Sequence, residues 1–423
     1  MNRRQFFITG AALAVSAAFL KPNDLGSPYN EYFTHLNNNL KSSKHYLPSM
    51  LVDLDKLDLN ITALSNSLNK NVDLRIVAKS LPSPDLLGYI MEKSGTNKLM
   101  VFHQPFLNQI TNDYPNSDIL MGKPIPVQSA ANFYELLDDT SDFDSTSQLQ
   151  WLIDSQVRLE QYLKLARKLN TLLQVNIEID VGLHRGGLQT IEELDPLLTL
   201  IANNPNHLKF SGFMGYDPHV VKLPSIIKSA EDAYLESQEI YQSFIDRLYQ
   251  FDEHYTQQTL CFNGAGSPTI AMHKNHTVAN ELSAGSCLVK PTDFDLETLA
   301  NFIPASYIAT PVLKKMLGTN IPAIEFAKDL LPLWDPNMQQ TFFIYGGKWS
   351  AKYESPKGLQ SNGLFGSSTN QEIVNASKKV NLQVDDFIFF RPTQSEFVFL
   401  QFGNLLALRK QNVIAQWPIL KNT

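Results

Sequence analysis

Cysteine is almost missing from this sequence, with Cys261 and Cys287 the only two among 423 residues. That excludes a cysteine-rich zinc module or a disulfide-stapled scaffold, and it leaves one disulfide at most, two buried thiols being the plainer reading. Basic clusters are lacking as well. Lys and Arg number 35 against 42 Asp and Glu, a net charge of -7. Beyond the first few residues no positive run offers a nucleic-acid footprint, so no nucleic-acid partner is expected. The apolar run from Ile8 to Leu20 spans 13 residues. A membrane-crossing helix takes about 20, so no stable membrane anchor is expected. No internal repeat is visible. What is present is ordinary globular material: 43% hydrophobic and 10% aromatic residues, with 20 Gly and 23 Pro, exclude disordered and collagen-like chains. The length suits a large domain followed by a smaller one.

Residues Met1 to Leu20 pair a short basic head with the apolar run, and Lys21-Pro22 follow. This is the pattern of a signal peptide. Arg3-Arg4 before Phe6-Phe7 is similar to a twin-arginine leader, which exports folded cargo and implies an exported or periplasmic protein. The alternative is an ordinary secretory leader that happens to hold two adjacent arginines. Cleavage near Ala18 would leave 33 basic against 42 acidic side chains. The following stretch, 21–47, reads as an N-terminal arm.

From Ser49 onward short apolar runs alternate with segments of helical spacing. The runs are Met50–Val52, Leu74–Val77, Lys98–Phe102, Ile119–Met121, Leu149–Ile153, Leu173–Ile179, Leu208–Phe213 and Thr259–Phe262. Helices are expected over Lys56–Leu68, Gln156–Leu169 and Ala230–Tyr249. Eight such units predict an α/β fold built on a (β/α)8 barrel over 48–276, with an open doubly wound sheet as the alternative. After His276 the pattern turns to strands at Ser286–Val289, Thr341–Tyr345, Asp386–Arg391, Phe397–Phe402 and Val413–Trp417. A smaller, mostly β domain over 277–423 is expected, with a long surface loop from Lys348 to Ser368.

Four features bear on chemistry. Lys79 closes the second run, where a barrel presents side chains at its C-terminal mouth. A lysine partly desolvated there offers the neutral amine that attacks carbonyl carbons, although snorkelling to solvent is the plainer role. The segment Asn263-Gly264-Ala265-Gly266-Ser267-Pro268-Thr269, with His273 close behind, follows the eighth run. Barrels bind phosphate in that loop, through glycine backbone N–H groups and through hydroxyls such as Ser267 or Thr269. Glu178 to Gly187 forms an acid-basic-glycine cluster at the same mouth, in which Asp180 and Arg185 could equally be a structural pair. Gly215 to His219 closes the seventh run, with His219 read as a surface residue.

Taken together, these segments resemble the fold-type III pyridoxal-phosphate enzymes, the alanine-racemase-like barrels. The likeness is nearest to the D-threonine aldolase and D-serine dehydratase branch. Pro48–Asp55, Asp118–Pro124, Gly212–Tyr216 and Glu281–Ser286 carry it alongside Lys79, Glu178–Gly187 and Gly264–Thr269. The resemblance implies pyridoxal 5'-phosphate as cofactor, held covalently by Lys79. Arg185 and Tyr216 would contact its ring, and Gly264, Gly266 and Ser267 its phosphate. Glu281–Ser286 would lead into the β domain, and a homodimer is implied.

Two departures stand out. The family's Pro-His-Val before the lysine is Ile76-Val77-Ala78 here. Its metal-binding His-x-Cys pair is Gln394-Ser395-Glu396, so no transition metal is expected. If Gln394 and Glu396 share one face of a strand, Glu396 could serve as a catalytic proton carrier, a strand glutamate paired with a surface cation being the alternative. The reading is a pyridoxal-phosphate-dependent lyase acting on small amino acids, D-configured and 3-hydroxylated, by retro-aldol cleavage or β-elimination. An amino-acid racemase and a cofactor carrier without turnover are the alternatives.

Overall fold

A computed structural model describes residues 21–138, 141–320, 323 and 327–421; the leader proposed above lies outside them. The chain divides into two units. The larger takes Leu54–Ala305, Gln394–Leu405 and Trp417–Thr423. The smaller takes the described residues up to Asp53 together with Ser306–Thr393 and Leu406–Gln416. Among the described residues no helix is long and apolar enough to cross a membrane.

The first strand, β1 (Ser49–Asp53), is followed at once by a helix over Leu54–Ser67, which gives it the look of a βα unit. It nevertheless belongs to the smaller unit. The barrel begins with β2 (Asp73–Val77), β3 (Lys98–Val101), β4 (Asp118–Met121) and β5 (Leu149–Ile153). It continues through β6 (Leu173–Ile179), β7 (Leu208–Gly215), β8 (Cys261–Gly264) and β9 (Glu281–Ala284), and these eight close on one another. The closing seam pairs β2 with β9 in parallel from Asp73 opposite Glu281 to Ile76 opposite Ala284. So the expected barrel is found, shifted by one strand: Met50–Val52 drops out, the Glu281–Ala284 piece enters, and the barrel unit runs to Ala305 instead of 276.

Helix ends follow local chemistry. Ser83, Ser155 and Ser229 cap the helices Pro84–Ser94, Gln156–Leu169 and Ala230–Phe251, each hydroxyl accepting a backbone N–H of the first turn. Gly95 ends the first of these in the left-handed region at φ 72°. The long Ala230–Phe251 helix is tied to the barrel by the buried Tyr241, whose hydroxyl donates to the carbonyls of Phe213 and Asn263, 3.0 Å each.

The barrel interior departs from the usual aliphatic filling. Arg75 is wholly buried, and its guanidinium donates to Glu281 (2.5 and 2.9 Å), to the Asp118 carboxylate (2.9 Å) and to the carbonyls of Leu99 and Asp118 (2.9 and 2.8 Å). Lys98 adds a second cation 2.9 Å from Glu281. Burial opposes both charges, yet the attraction wins on each side. Glu281 is held down at about 2 by Arg75 and Lys98, and Arg75 is held above its ordinary range by Glu281 and Asp118. Cys261 lies against the same carboxylate and is a free thiol, as is Cys287; burial pushes both thiols up.

The smaller unit is a β-sheet in the order β13-β14-β11-β10-β1-β16-β17, with β15 pairing β10 and β12. Its later strands are β10 (Ser306–Leu317), β11 (Gln340–Tyr345), β12 (Ala351–Ser355), β13 (Gln360–Ser361), β14 (Gln371–Ala376), β15 (Phe387–Pro392), β16 (Asn404–Arg409) and β17 (Asn412–Pro418). The helix Glu31–Ser42 packs Phe33, Leu36 and Leu40 against Leu51, Tyr307, Phe387 and Phe389, so the expected arm is part of this core. Three strand-level expectations fail. Ser286–Leu288 is a 3-10 turn, Glu396–Phe399 is a short helix, and the Lys348–Ser368 loop contains β12 and β13. Short apolar runs fit either period, which is why the first two misled.

Removing Arg75 leaves the buried Glu281 without its main partner and the half-buried Asp118 without its ion pair, so Arg75→Met is expected to lower stability by about 3–5 kcal/mol in a denaturant titration. The Glu281 contribution is present above about pH 4.5 and drains away as pH falls toward 2; Glu281→Gln should flatten that acid limb.

Candidate active site

At the end of the barrel where β2, β7 and β8 hand over to their loops lies a cleft of about 630 Å³, solvent at its mouth included. Lys79, Phe102, Arg185, Tyr216, Ala265, Gly266, Ser267, Phe294 and Glu396 all line it. Residues far apart in sequence thus meet where the barrel architecture places chemistry.

Lys79 sits one step past the expected place, in a single 3-10 turn over Ala78–Ser80 after β2. Its side chain is 37% exposed and its ammonium is paired. It bonds Glu396 Oε1 at 2.7 Å and lies 4.5 Å from the centroid of the Phe102 ring. Gly122 makes that ring position possible, since a Cβ there would fall 2.2 Å from Phe102. Glu396 opens the Glu396–Phe399 helix, and the buried Val398 and Phe399 anchor that turn while the carboxylate faces the cleft. Gln394 does not share its face, because no strand joins them; its amide donates to Asp293 at 3.3 Å.

Arg185 and Tyr216 come together as a stack, the guanidinium 4.8 Å from the ring centroid. Tyr216 is half-buried, and burial raises its phenol, with Arg185 opposing and Asp217 and Glu396 adding to the rise. Gly266 packs under this ring: a Cβ would meet Tyr216 Cε2 at 2.5 Å. Its N–H is used inside the turn, donating to Thr269 Oγ1 at 3.2 Å. The glycine therefore provides clearance, and its expected role as a backbone donor to the cleft is not seen. Gly264 ends β8 and is not among the lining residues, its missing side chain facing Ala279 and His273. Ala265, at φ 62°, takes its place.

Ser267 has a defined polarity. Its Oγ accepts the backbone N–H groups of Gly285 and Cys287, both at 3.1 Å. A hydroxyl has two lone pairs and one proton, so with both lone pairs engaged this group can act toward the cleft only as a donor. That is the behaviour an anion site requires.

Asp180 and Arg185 do not pair. The Asp180 carboxylate accepts the N–H groups of Gly182 and His184 and bonds His184 Nδ1 at 2.9 Å. Glu178, which opens that cluster, is pushed up to about 7 by burial, with Arg185 opposing and Asp154 and Asp180 adding to the rise. His219 is no surface residue. It is half-buried, and burial pushes its imidazole down. The fully buried Asp217 and His273, to which the sequence reading gave no role of their own, lie beside the Gly266–Thr269 turn. Among the described residues no group of three or more His, Cys, Asp or Glu side chains is placed to hold a metal ion.

A closed parallel barrel with its cleft at the C-terminal mouth, lined by a lysine and an anion-type turn, defines a class before any comparison. Residues 52–293 match the family described as alanine racemase, N-terminal domain, and the chain belongs to it. No curated protein sequence matches the chain significantly. Among solved structures, D-threonine aldolase from Filomicrobium marinum superposes with a TM-score of 0.68 at 16% identity, over 89% of this chain and 95% of that one. Alanine racemase from Bacillus anthracis with bound L-Ala-P gives 0.65 at 12%, over 88% and 98%. D-threo-3-hydroxyaspartate dehydratase from Delftia sp. HT23 gives 0.64 at 14%, over 88% and 97%. At such identities the likeness is one of fold.

The raised Glu178 carboxyl favours the folded state fully below about pH 4.5, and that contribution is lost as pH rises through 7. Glu178→Gln should remove roughly 1–3 kcal/mol of this fall in stability, read by denaturant titration at pH 4.5 and pH 8.

Proposed function

We propose that the protein is a pyridoxal 5'-phosphate-dependent lyase acting on small amino acids, D-configured and 3-hydroxylated, by retro-aldol cleavage or β-elimination. The observation that carries this reading is the Lys79–Glu396 pair, 2.7 Å apart, in one cleft with the Arg185–Tyr216 stack and the donor-only Ser267 hydroxyl. The donor set fits the group. Lys79 supplies the amine for covalent attachment, Ser267 a hydroxyl proton for a phosphate oxygen, and Tyr216 and Arg185 a flat cationic wall for a ring.

When bound, the cofactor supplies the electron sink that lets a bond at Cα break. The chain's own residues decide which bond and where protons go. Lys79 Nζ and Glu396 Oε1 share a hydrogen bond, so either can pass a proton to the other and the two act as one acid–base unit. Such a unit serves to take a proton from a substrate hydroxyl or to return one to a leaving oxygen. A racemase needs separate proton carriers on the two faces of Cα, whereas the lyase chemistry proposed here needs only the bonded Lys79–Glu396 pair. No metal enters this reading: the two positions bring one amide and one carboxylate, and the amide is turned to Asp293. We propose export by the twin-arginine-like leader as well; mass spectrometry of the mature N-terminus tests it.

Purified protein should carry a covalent cofactor adduct that borohydride fixes onto Lys79, and Lys79→Ala should lose it. With a panel of D- and L-amino acids, chiral product analysis should show keto acid or aldehyde formed from D-3-hydroxy substrates. Inversion without cleavage would favour the racemase, and a fixed adduct without turnover a carrier. Gly266→Val should release cofactor at least about tenfold more readily, as the new side chain strikes the Tyr216 ring.

A further inference from the structure

One buried carboxylate lies next to the anion turn without facing the cleft. Asp217 follows Tyr216 directly and is only 2% exposed. A carboxylate beside a phosphate site is electrostatically unfavourable, so its presence calls for a structural cause. Its two oxygens are both engaged. Oδ1 accepts from Thr269 Oγ1 at 2.6 Å, and Oδ2 bonds His273 Nε2 at 2.9 Å.

Each partner leads back into the turn. Thr269, fully buried, accepts the Gly266 N–H on the same hydroxyl oxygen, while its own N–H and that of Ile270 return to the Gly266 carbonyl, 3.0 Å each. His273, 1% exposed, is fixed from the far side by Thr277 Oγ1 at 2.9 Å and by the edge of the Tyr234 ring at 5.0 Å between centroids. Tyr234 donates in turn to the carbonyl of His276. The network therefore joins the loop that carries Tyr216 to the turn that carries Ser267, through side chains that never touch the cleft volume.

We infer that Asp217, acting through Thr269 and His273, is a positioning residue that holds the Ala265–Thr269 turn in its anion-binding shape, so that it sets affinity for the phosphate of the cofactor and leaves affinity for the ring unchanged. This rests on the cofactor reading above. The Asp217–Thr269 bond orients the threonine hydroxyl so that its oxygen faces the Gly266 N–H. Without that bond, both a buried carboxylate oxygen and a backbone donor lose their partner, and the turn is free to rearrange.

The test compares two ligands that differ only by the phosphate. Dissociation constants for pyridoxal 5'-phosphate and for pyridoxal are measured on the full chain and on Thr269→Val, which keeps the shape and loses the hydroxyl, and on Thr269→Ser, which restores it. The expected result is a loss of about tenfold or more for pyridoxal 5'-phosphate in Thr269→Val, with pyridoxal within about twofold and Thr269→Ser close to the parent. Equal losses for both ligands, or no loss for either, would overturn the inference. Should Thr269→Val not fold, His273→Gln and the shift in thermal midpoint on adding inorganic phosphate read the same property: a shift in the parent that His273→Gln abolishes supports it, and one left intact refutes it. A parent that binds neither ligand removes the cofactor reading itself. A parent that binds pyridoxal 5'-phosphate tightly while Thr269→Val does so equally well removes only the role of Asp217.

Discussion

A guanidinium buried inside one end of a β-barrel governs much of this molecule. Arg75 reaches from β2 to Glu281 on β9, the strand that closes the ring, and to Asp118 on β4, while its remaining hydrogen bonds take carbonyls of β3 and β4. Four of the eight strands thus meet on one side chain. An aliphatic layer would hold the same strands by volume alone and would tolerate sliding. A planar fork with five fixed donors does not, because any slip of register leaves a buried charge unpaired. The cost is a barrel interior that must satisfy its polar atoms, and Asn263 shows how: it donates to Glu281 and to Ser283, and accepts from Ser283 in return.

With the strands fixed in register, the loops at the other end of the barrel become dependable platforms. Ser267 follows β8, and its hydroxyl is aimed by N–H groups from Gly285 and Cys287, just past β9. The strand that carries Glu281 to Arg75 at one end thus leads directly to the donors that orient Ser267 at the other. Stability and site geometry run along a single strand of four residues.

Sequence pattern carried the architecture and the membership of the cleft further than it carried strand identity or side-chain pairing. Lys79, Arg185, Tyr216, Gly266 and Ser267 all follow barrel strands, where the architecture places a cleft, whereas Glu396, 317 positions from Lys79, was legible only through the resemblance at Gln394-Ser395-Glu396. The strand β1 could not be told from a barrel strand, since an apolar run leading into a helix looks the same whether its partners lie parallel or antiparallel. The true last strand was passed over for the opposite reason: Glu281-Leu282-Ser283-Ala284 is half polar, and only the inward Arg75 makes that composition sensible. Asp217, His273 and Glu178 lay in segments the sequence marked, yet their roles were hidden because burial, not residue type, gives them their character. The helix at Glu396 was hidden by four residues too few to show a period.

The discontinuity of the larger unit has a temporal side. All eight barrel strands, Lys79 and the anion turn precede Ala305, but Glu396 belongs to a segment that rejoins the unit only at Gln394. A ribosome adding about 5–20 residues per second needs on the order of ten seconds to cross that gap. Throughout it the nascent barrel can hold its lysine at the mouth with no carboxylate beside it, so the acid–base couple is assembled last, after the scaffold that positions it.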